Sequence, residues 1–241
     1  MNIAKNKANT ELLVDVDQQQ HTKNTLNVAH PDDMTIVQQR LRSELLGNLT
    51  ATVATQHSQS TALSQDPNGS WPDINYHDRS RSQWIPAQHL QRLALLSQTY
   101  ALTPSPSLLQ QIHRGLQFFR AEKPHSDNWW YTSIHSPRAL GQILVLLTTT
   151  PHFAAAACPS IPAAAALCGN VNLKTTQYQG ANLMDVVSNL LHFAVVVNDP
   201  SLLLLCAQRI KNAVRIESSL HQEGIQVDGS FHQVCLLPTP L

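Results

Sequence analysis

Ser105-Pro106-Ser107-Leu108-Leu109-Gln110-Gln111-Ile112-His113-Arg114-Gly115-Leu116-Gln117-Phe118-Phe119 carries both a helix start and a helix period. A serine hydroxyl can accept from the orphan N–H groups of a first turn, and proline loses nothing at the first helical position, where its missing N–H has no partner anyway. The apolar side chains then fall at Leu108, Leu109, Ile112, Leu116 and Phe119. Spacings of three and four place them on one buried face.

The pattern repeats outward. Ser136-Pro137 and Asp199-Pro200 are further cap-proline pairs, so each predicts a helix start. After Ser136 the stripe is Leu140, Ile143, Leu144 and Leu147. Leu183, Val186, Val187, Leu190, Leu191 and Ala194 repeat it, and Leu203, Ala207, Ile210 and Val214 follow. Upstream, Met34, Val37, Leu41 and Leu45 predict a helix from Asp32, with residues 50–70 as its end running into a loop. Residues 151–170 predict a broken connection: Ala154 to Ala157 and Ala163 to Ala166 favour helix, while Pro159 and Pro162 interrupt it. No comparable run alternates with period two. About seven helices with short connections give an all-α fold of stacked helical hairpins. Periodicity leaves toroid, solenoid and bundle open.

Composition narrows the function classes. With 241 residues the chain is long enough for one or two domains and a full core. Its 16 basic and 16 acidic side chains cancel, so no whole-chain field recruits nucleic acid or an anionic membrane. A polyanionic partner must be held by local charges. Cys158, Cys168, Cys206 and Cys235 show neither C-x-x-C spacing nor the density of a disulfide scaffold, and the 12 histidines include no tight ligand pair. The expectation is buried thiols, with no metal and no cofactor. Residues 1–30, rich in Asn, Gln, Lys and Thr, read as a flexible tail without the apolar core of a secretory signal. Nothing reaches the roughly 18 uninterrupted apolar residues of a membrane helix.

Five blocks carry a resemblance. They are Asp73-Ile74-Asn75-Tyr76 with Asp78-Arg79-Ser80-Arg81 and Trp84; His89-Leu90-Gln91-Arg92-Leu93; Asp127-Asn128-Trp129-Trp130 with Ile134 and Pro137-Arg138-Ala139-Leu140; Gly180-Ala181-Asn182; and Glu223-Gly224-Ile225-Gln226-Val227-Asp228-Gly229-Ser230-Phe231-His232-Gln233. In this order they resemble the α-helical domain of polysaccharide lyase family 8, the hyaluronate, chondroitin AC and xanthan lyases. The resemblance implies that residues 31–241 form an incomplete α/α toroid, truncated at its C-terminal end and without the family's β-sandwich domains. It also implies an acidic polysaccharide as partner, β-elimination at a uronic acid, and a site of action outside the cytoplasm, extracellular or periplasmic.

The residue chemistry fits such a partner. Trp129 and Trp130 precede the helix expected at Pro137, where a loop can expose flat aromatic faces to the C–H patches of sugar rings. An isolated Trp-Trp more commonly fills a core; the surrounding block favours a substrate-binding wall, with Asn128 beside it. Asn182 lies at an expected helix start, where the dipole favours an anion. The resemblance implies that its amide bonds the uronate carboxylate, which gains charge when the C5 proton leaves, a catalytic role. Alone, an asparagine there is simply a cap. Arg138, and Arg79 or Arg81, could pair with acidic groups of the polymer or with internal carboxylates. His135 stands where the family commonly has Gly, and Tyr178, four residues before Asn182, is placed to line the same cleft.

The elimination also needs a base and an acid. The family uses a His after the D-x-S-F motif and a Tyr about nine residues farther on; here Val234 holds the histidine position and the chain reaches only Leu241. His232 matches the first, non-catalytic histidine, and a shift of two residues redirects a side chain in helix or strand. Glu223, Asp228 and Ser230 read as loop-shaping partners. The expected function is therefore a lyase-like domain, inactive or incomplete by itself. The alternatives are a non-catalytic carbohydrate-binding remnant and a helical protein-interaction module.

Overall fold

Apolar threes and fours fold into helices because only a period near 3.6 gathers them on one side. The computed structural model describes residues 30, 32–151, 153, 161–168, 178–214, 224–227 and 229–232. The helices are α1 (Asp33–Leu46), α2 (Ala51–Leu63), α3 (Ala87–Leu102), α4 (Pro106–Glu122), α5 (Ser136–Thr148), α6 (Ile161–Cys168), α7 (Gly180–Val197) and α8 (Pro200–Ala213). A π-helical turn, Tyr131–His135, runs directly into α5. Among the described residues the fold is all-α apart from an antiparallel pair of two-residue strands, β1 (Gly224–Ile225) and β2 (Phe231–His232). The predicted tail before His30, Ala154 to Ser160, Glu223, Asp228 and Gln233 onward lie outside the described residues.

Two of the three cap-proline pairs start helices as expected. Ser105 Oγ accepts from the Leu108 N–H at 3.3 Å, and Asp199 Oδ1 accepts from Ser201 and Leu202 at 2.9 and 3.0 Å. The third does not: Ser136 and Pro137 lie inside a continuing helix, with Ser136 donating its N–H to the Tyr131 carbonyl five residues back. Proline has no N–H to lose where the ladder changes from π to α register, so the pair is tolerated mid-helix. Residues 50–70 also differ from expectation. Gly47, at φ +51, ends α1, and Thr50 starts a new helix by accepting from the Val53 N–H at 3.3 Å.

The helices form hairpins α3/α4, α5/α6 and α7/α8, whose first helices pack side by side as α3 on α5 on α7. Neighbours on several sides explain why Ile143, Leu144, Val145, Leu146 and Leu147 are all buried: α5 is enclosed by α1, α3, α6 and α7. On one side Ile143, Leu144 and Leu147 join Leu90, Leu93, Leu96, Ile112 and Leu116 in a single core; on another Val145 meets Met34, Ala194, Val195 and Leu203.

The polar side chains of the His89 block are bonded within the fold. His89 is fully buried, with Nε2 2.9 Å from the Gly115 carbonyl and Nδ1 3.0 Å from the Tyr76 hydroxyl. A carbonyl only accepts, so Nε2 carries the proton and Nδ1 accepts from Tyr76; the Tyr76 oxygen in turn accepts from the Trp71 N–H at 3.0 Å. Arg92 reaches back to Asp73 at 2.7 and 2.5 Å and lies over the Trp71 ring. Burial lowers the His89 pKa to about 4, opposed by the Gly115 bond and assisted by Arg92.

Candidate functional site

The site begins with a clamp between two loops. Ser126 Oγ donates to the Ser80 carbonyl at 2.7 Å, the Asp127 N–H to the Arg79 carbonyl at 3.1 Å, and Asn128 Nδ2 to the Arg81 carbonyl at 3.0 Å. Arg79 pairs with Asp127 at 2.6 Å, but both side chains are more than half exposed or close to it, so the pair adds little stability. Asn128 Oδ1 accepts from the Trp130 N–H at 3.1 Å. Each end of the Asn128 amide thus holds one bond, Nδ2 in the clamp and Oδ1 at the start of the helical turn that carries the tryptophans.

Trp129 and Trp130 form a helical turn leading into the π-turn, rather than the open loop that the Ser136-Pro137 pair predicted. Both are half-buried. Trp129 stacks on Tyr178, with centroids 5.9 Å apart and planes at 20°, while Trp130 meets Tyr131 edge-on and tilts against His135, each at 5.5 Å. Their inner sides pack on Ile134, Leu183, Val186, Val187 and Leu190. Each side chain is thus part core and part exposed. Aromatic surfaces with a rigid backing are what a sugar-binding wall requires, because little side-chain freedom is lost on contact.

Tyr178 leads into α7, whose first turn holds Asn182. Asn182 is half-buried, and its side chain makes no hydrogen bond among the described residues. The helix start supplies partial positive charge beside it. Through the Trp129–Tyr178 stack and the shared packing on Leu183, the structure brings the tryptophans to the beginning of α7, the end that carries Asn182.

Arg138, the last predicted binding residue, forms an ion pair. Its guanidinium donates to Asp185 of α7, three residues beyond Asn182, with each side chain about one-third exposed. Arg81 is exposed, and no ion pair to it is described. His135 lies partly buried at the end of the π-turn; burial, then the Arg138 charge, holds its pKa below the ordinary histidine range. His192 is lowered chiefly by burial and has Nδ1 2.7 Å from the Ser188 carbonyl. The Ser230 backbone carbonyl accepts from the Gln226 N–H at 2.8 Å in the turn between β1 and β2. Cys206 is buried and its thiol pushed up to about 12, an inert core thiol. Among the described residues no cluster of ligands suited to a metal ion occurs.

Sequence reasoning missed two participants. Asn189, 3 % exposed, donates from Nδ2 to the Ile134 carbonyl at 3.0 Å. The π-turn itself has no sequence signature beyond a misplaced cap-proline pair. Tyr178 was assigned to the cleft without a role, and its stack on Trp129 supplies one.

Comparison with known proteins agrees with this frame. The profile of the polysaccharide lyase family 8 N-terminal alpha-helical domain matches residues 32–238. Chondroitinase-AC of Pedobacter heparinus is 28% identical over 172 residues, 69% of this chain and 24% of that protein. A solved structure of chondroitinase AC lyase with oligosaccharide complexes superposes with TM-score 0.73 at 23% identity, covering 83% of this chain and 29% of that one. Paenibacillus xanthan lyase gives 0.62 at 19% identity, covering 84% and 21%. The two structures share the helical fold, and the chain spans about a quarter of the curated relative's length. A profile match over most of the chain settles kinship: this protein belongs to polysaccharide lyase family 8, through its N-terminal alpha-helical domain.

Proposed function

We propose that the chain binds a uronic-acid polysaccharide along Trp129, Trp130 and Tyr178, with the sugar carboxylate on Asn182. The observation that carries this reading is the Trp129–Tyr178 stack immediately before a helix whose first turn presents an uncommitted carboxamide. The aromatic faces take the apolar side of a pyranose ring, and the amide N–H group donates to the carboxylate. In this reading Asn128 supports Trp130 beside the sugar, and Arg138, paired with Asp185, brings positive charge to the same part of α7.

The reaction class proposed for the complete lyase unit is β-elimination. A base removes the C5 proton, the electron pair forms the C4=C5 double bond, and the C4–O bond breaks with a proton delivered to the leaving oxygen. Charge flows onto the carboxylate as the proton departs, and Asn182 stabilises it there. Val234 stands where the family has its base histidine. Without that base these residues hold polymer and do not cleave it, in the extracytoplasmic setting that family kinship suggests.

Affinity electrophoresis of the purified chain through gels containing chondroitin, hyaluronan or xanthan tests this. Retardation by at least one polymer, abolished in Trp129→Ala and weakened in Asn182→Ala, is the expected result. No retardation by any of the three refutes it, and a protein partner whose capture needs Trp129 would favour an interaction module instead.

A further inference from the structure

The polar stripe on α7 is unexpected in so apolar a helix. Asn182, Asp185 and Asn189 recur at intervals of three and four, which puts them within about 60° on one face. Two of the three reach across to the chain segment that carries the tryptophans: Asp185 to Arg138, just after the π-turn, and Asn189 to the Ile134 carbonyl within it. Asn189 is an odd choice for stability alone. It is 3 % exposed, and its Oδ1 is buried with no partner among the described residues. A buried amide with one end unsatisfied costs free energy that a leucine of similar size would not.

The π-turn supplies the other half of the argument. Such a turn is one extra residue inside an α-helix, and at 3.6 residues per turn an extra residue rotates all that precedes it by about 100° relative to all that follows. Here Trp129 and Trp130 precede it and α5 follows. With regular α geometry from residue 129 onward, the indoles would point about a quarter-turn away from their present direction.

We propose that the π-turn and the Asn189 carboxamide bonded to it are a positioning device, which fixes the direction of the Trp129/Trp130 pair relative to Asn182. This rests on the carbohydrate-binding reading above. The Arg138–Asp185 pair sets the height of α7 against α5, and Asn189 holds the register of the π-turn. Neither group touches the polymer; they act through the tryptophans and Asn182.

Two variants of the full chain test it: deletion of Ser133, which removes the extra residue and restores α register, and Asn189→Leu, which removes the bond while filling the space. Both are expected to keep helical circular dichroism, with the leucine variant melting no lower than the wild type. Affinity for the polymer that the wild type binds should fall about tenfold or more in each, about 1.4 kcal/mol of lost aromatic contact. A purely structural role predicts a lower melting temperature with unchanged affinity, and that outcome overturns the proposal. Acrylamide quenching provides a readout without ligand. Trp71 and Trp84 are 0% and 2% exposed, so quenching reports on Trp129 and Trp130. A changed quenching constant in both variants is expected, and an unchanged one overturns the device even if the wild type binds no polymer and the binding reading itself has failed.

Discussion

Acidification should unfold this protein through His89, and the size of the effect follows from its surroundings. The imidazole is fully buried, edge-on to Trp71 at 4.8 Å and against Phe119 at 5.2 Å, with both nitrogens in hydrogen bonds. A second proton would have to enter at Nδ1, which already accepts from Tyr76, and would place a charge among rings beside Arg92. The folded pKa is about 4 against an ordinary 6.5. A histidine lowered on folding is neutral in both states at high pH. As pH falls through 6.5 the unfolded chain takes up a proton that the folded chain refuses, so stability declines until pH reaches about 4 and then levels. Linkage gives a loss of about 2 kcal/mol at pH 5 and about 3 kcal/mol at pH 4 relative to pH 8. Urea unfolding of the wild type and His89→Gln across that range isolates the effect, because His113, His135 and His192 contribute equally to both. Glutamine keeps a donor for Gly115 and never takes the proton. The two stability profiles should converge by about 2 kcal/mol between pH 8 and pH 5. Parallel profiles would refute the account of His89 as a buried neutral group.

Three further outcomes follow from the same structure. Gly69 sits at φ +96, and a Cβ there would come within 2.3 Å of the Arg114 carbonyl oxygen, so Gly69→Ala should cost more than about 2 kcal/mol in urea unfolding. Asp199→Ala removes a cap serving two N–H groups and should cost about 1 kcal/mol by the same measurement. With Val234 in the base position, the pure chain incubated with chondroitin, hyaluronan or xanthan should give no rise in unsaturated-uronate absorbance; a sustained rise would show that another group serves as base.

Local rules decided what was local. The stripes at Leu108 to Phe119 and Leu183 to Ala194, and the caps at Ser105 and Asp199, became helices with those faces buried, because helix period and cap chemistry act within one or two turns. The kinship blocks named the residues of the candidate site, but blocks say which letters recur and not which atoms are already committed. How an amide or guanidinium is held depends on partners far along the chain: Asn128 bonds Arg81, 47 residues away, and Arg138 pairs with Asp185, also 47 away. Ser136-Pro137 reads locally as a helix start, yet the helix had already begun at Asn128, which caps it. Only the packing of α7 against the π-turn, through Asn189 and the Trp129–Tyr178 stack, set the direction in which the tryptophans face. The sequence alone determined most of the helices, through short-range period and caps, and its five blocks carried the family resemblance. The orientation of the site is a sum of contacts between segments about fifty residues apart, and no local pattern encodes such a sum.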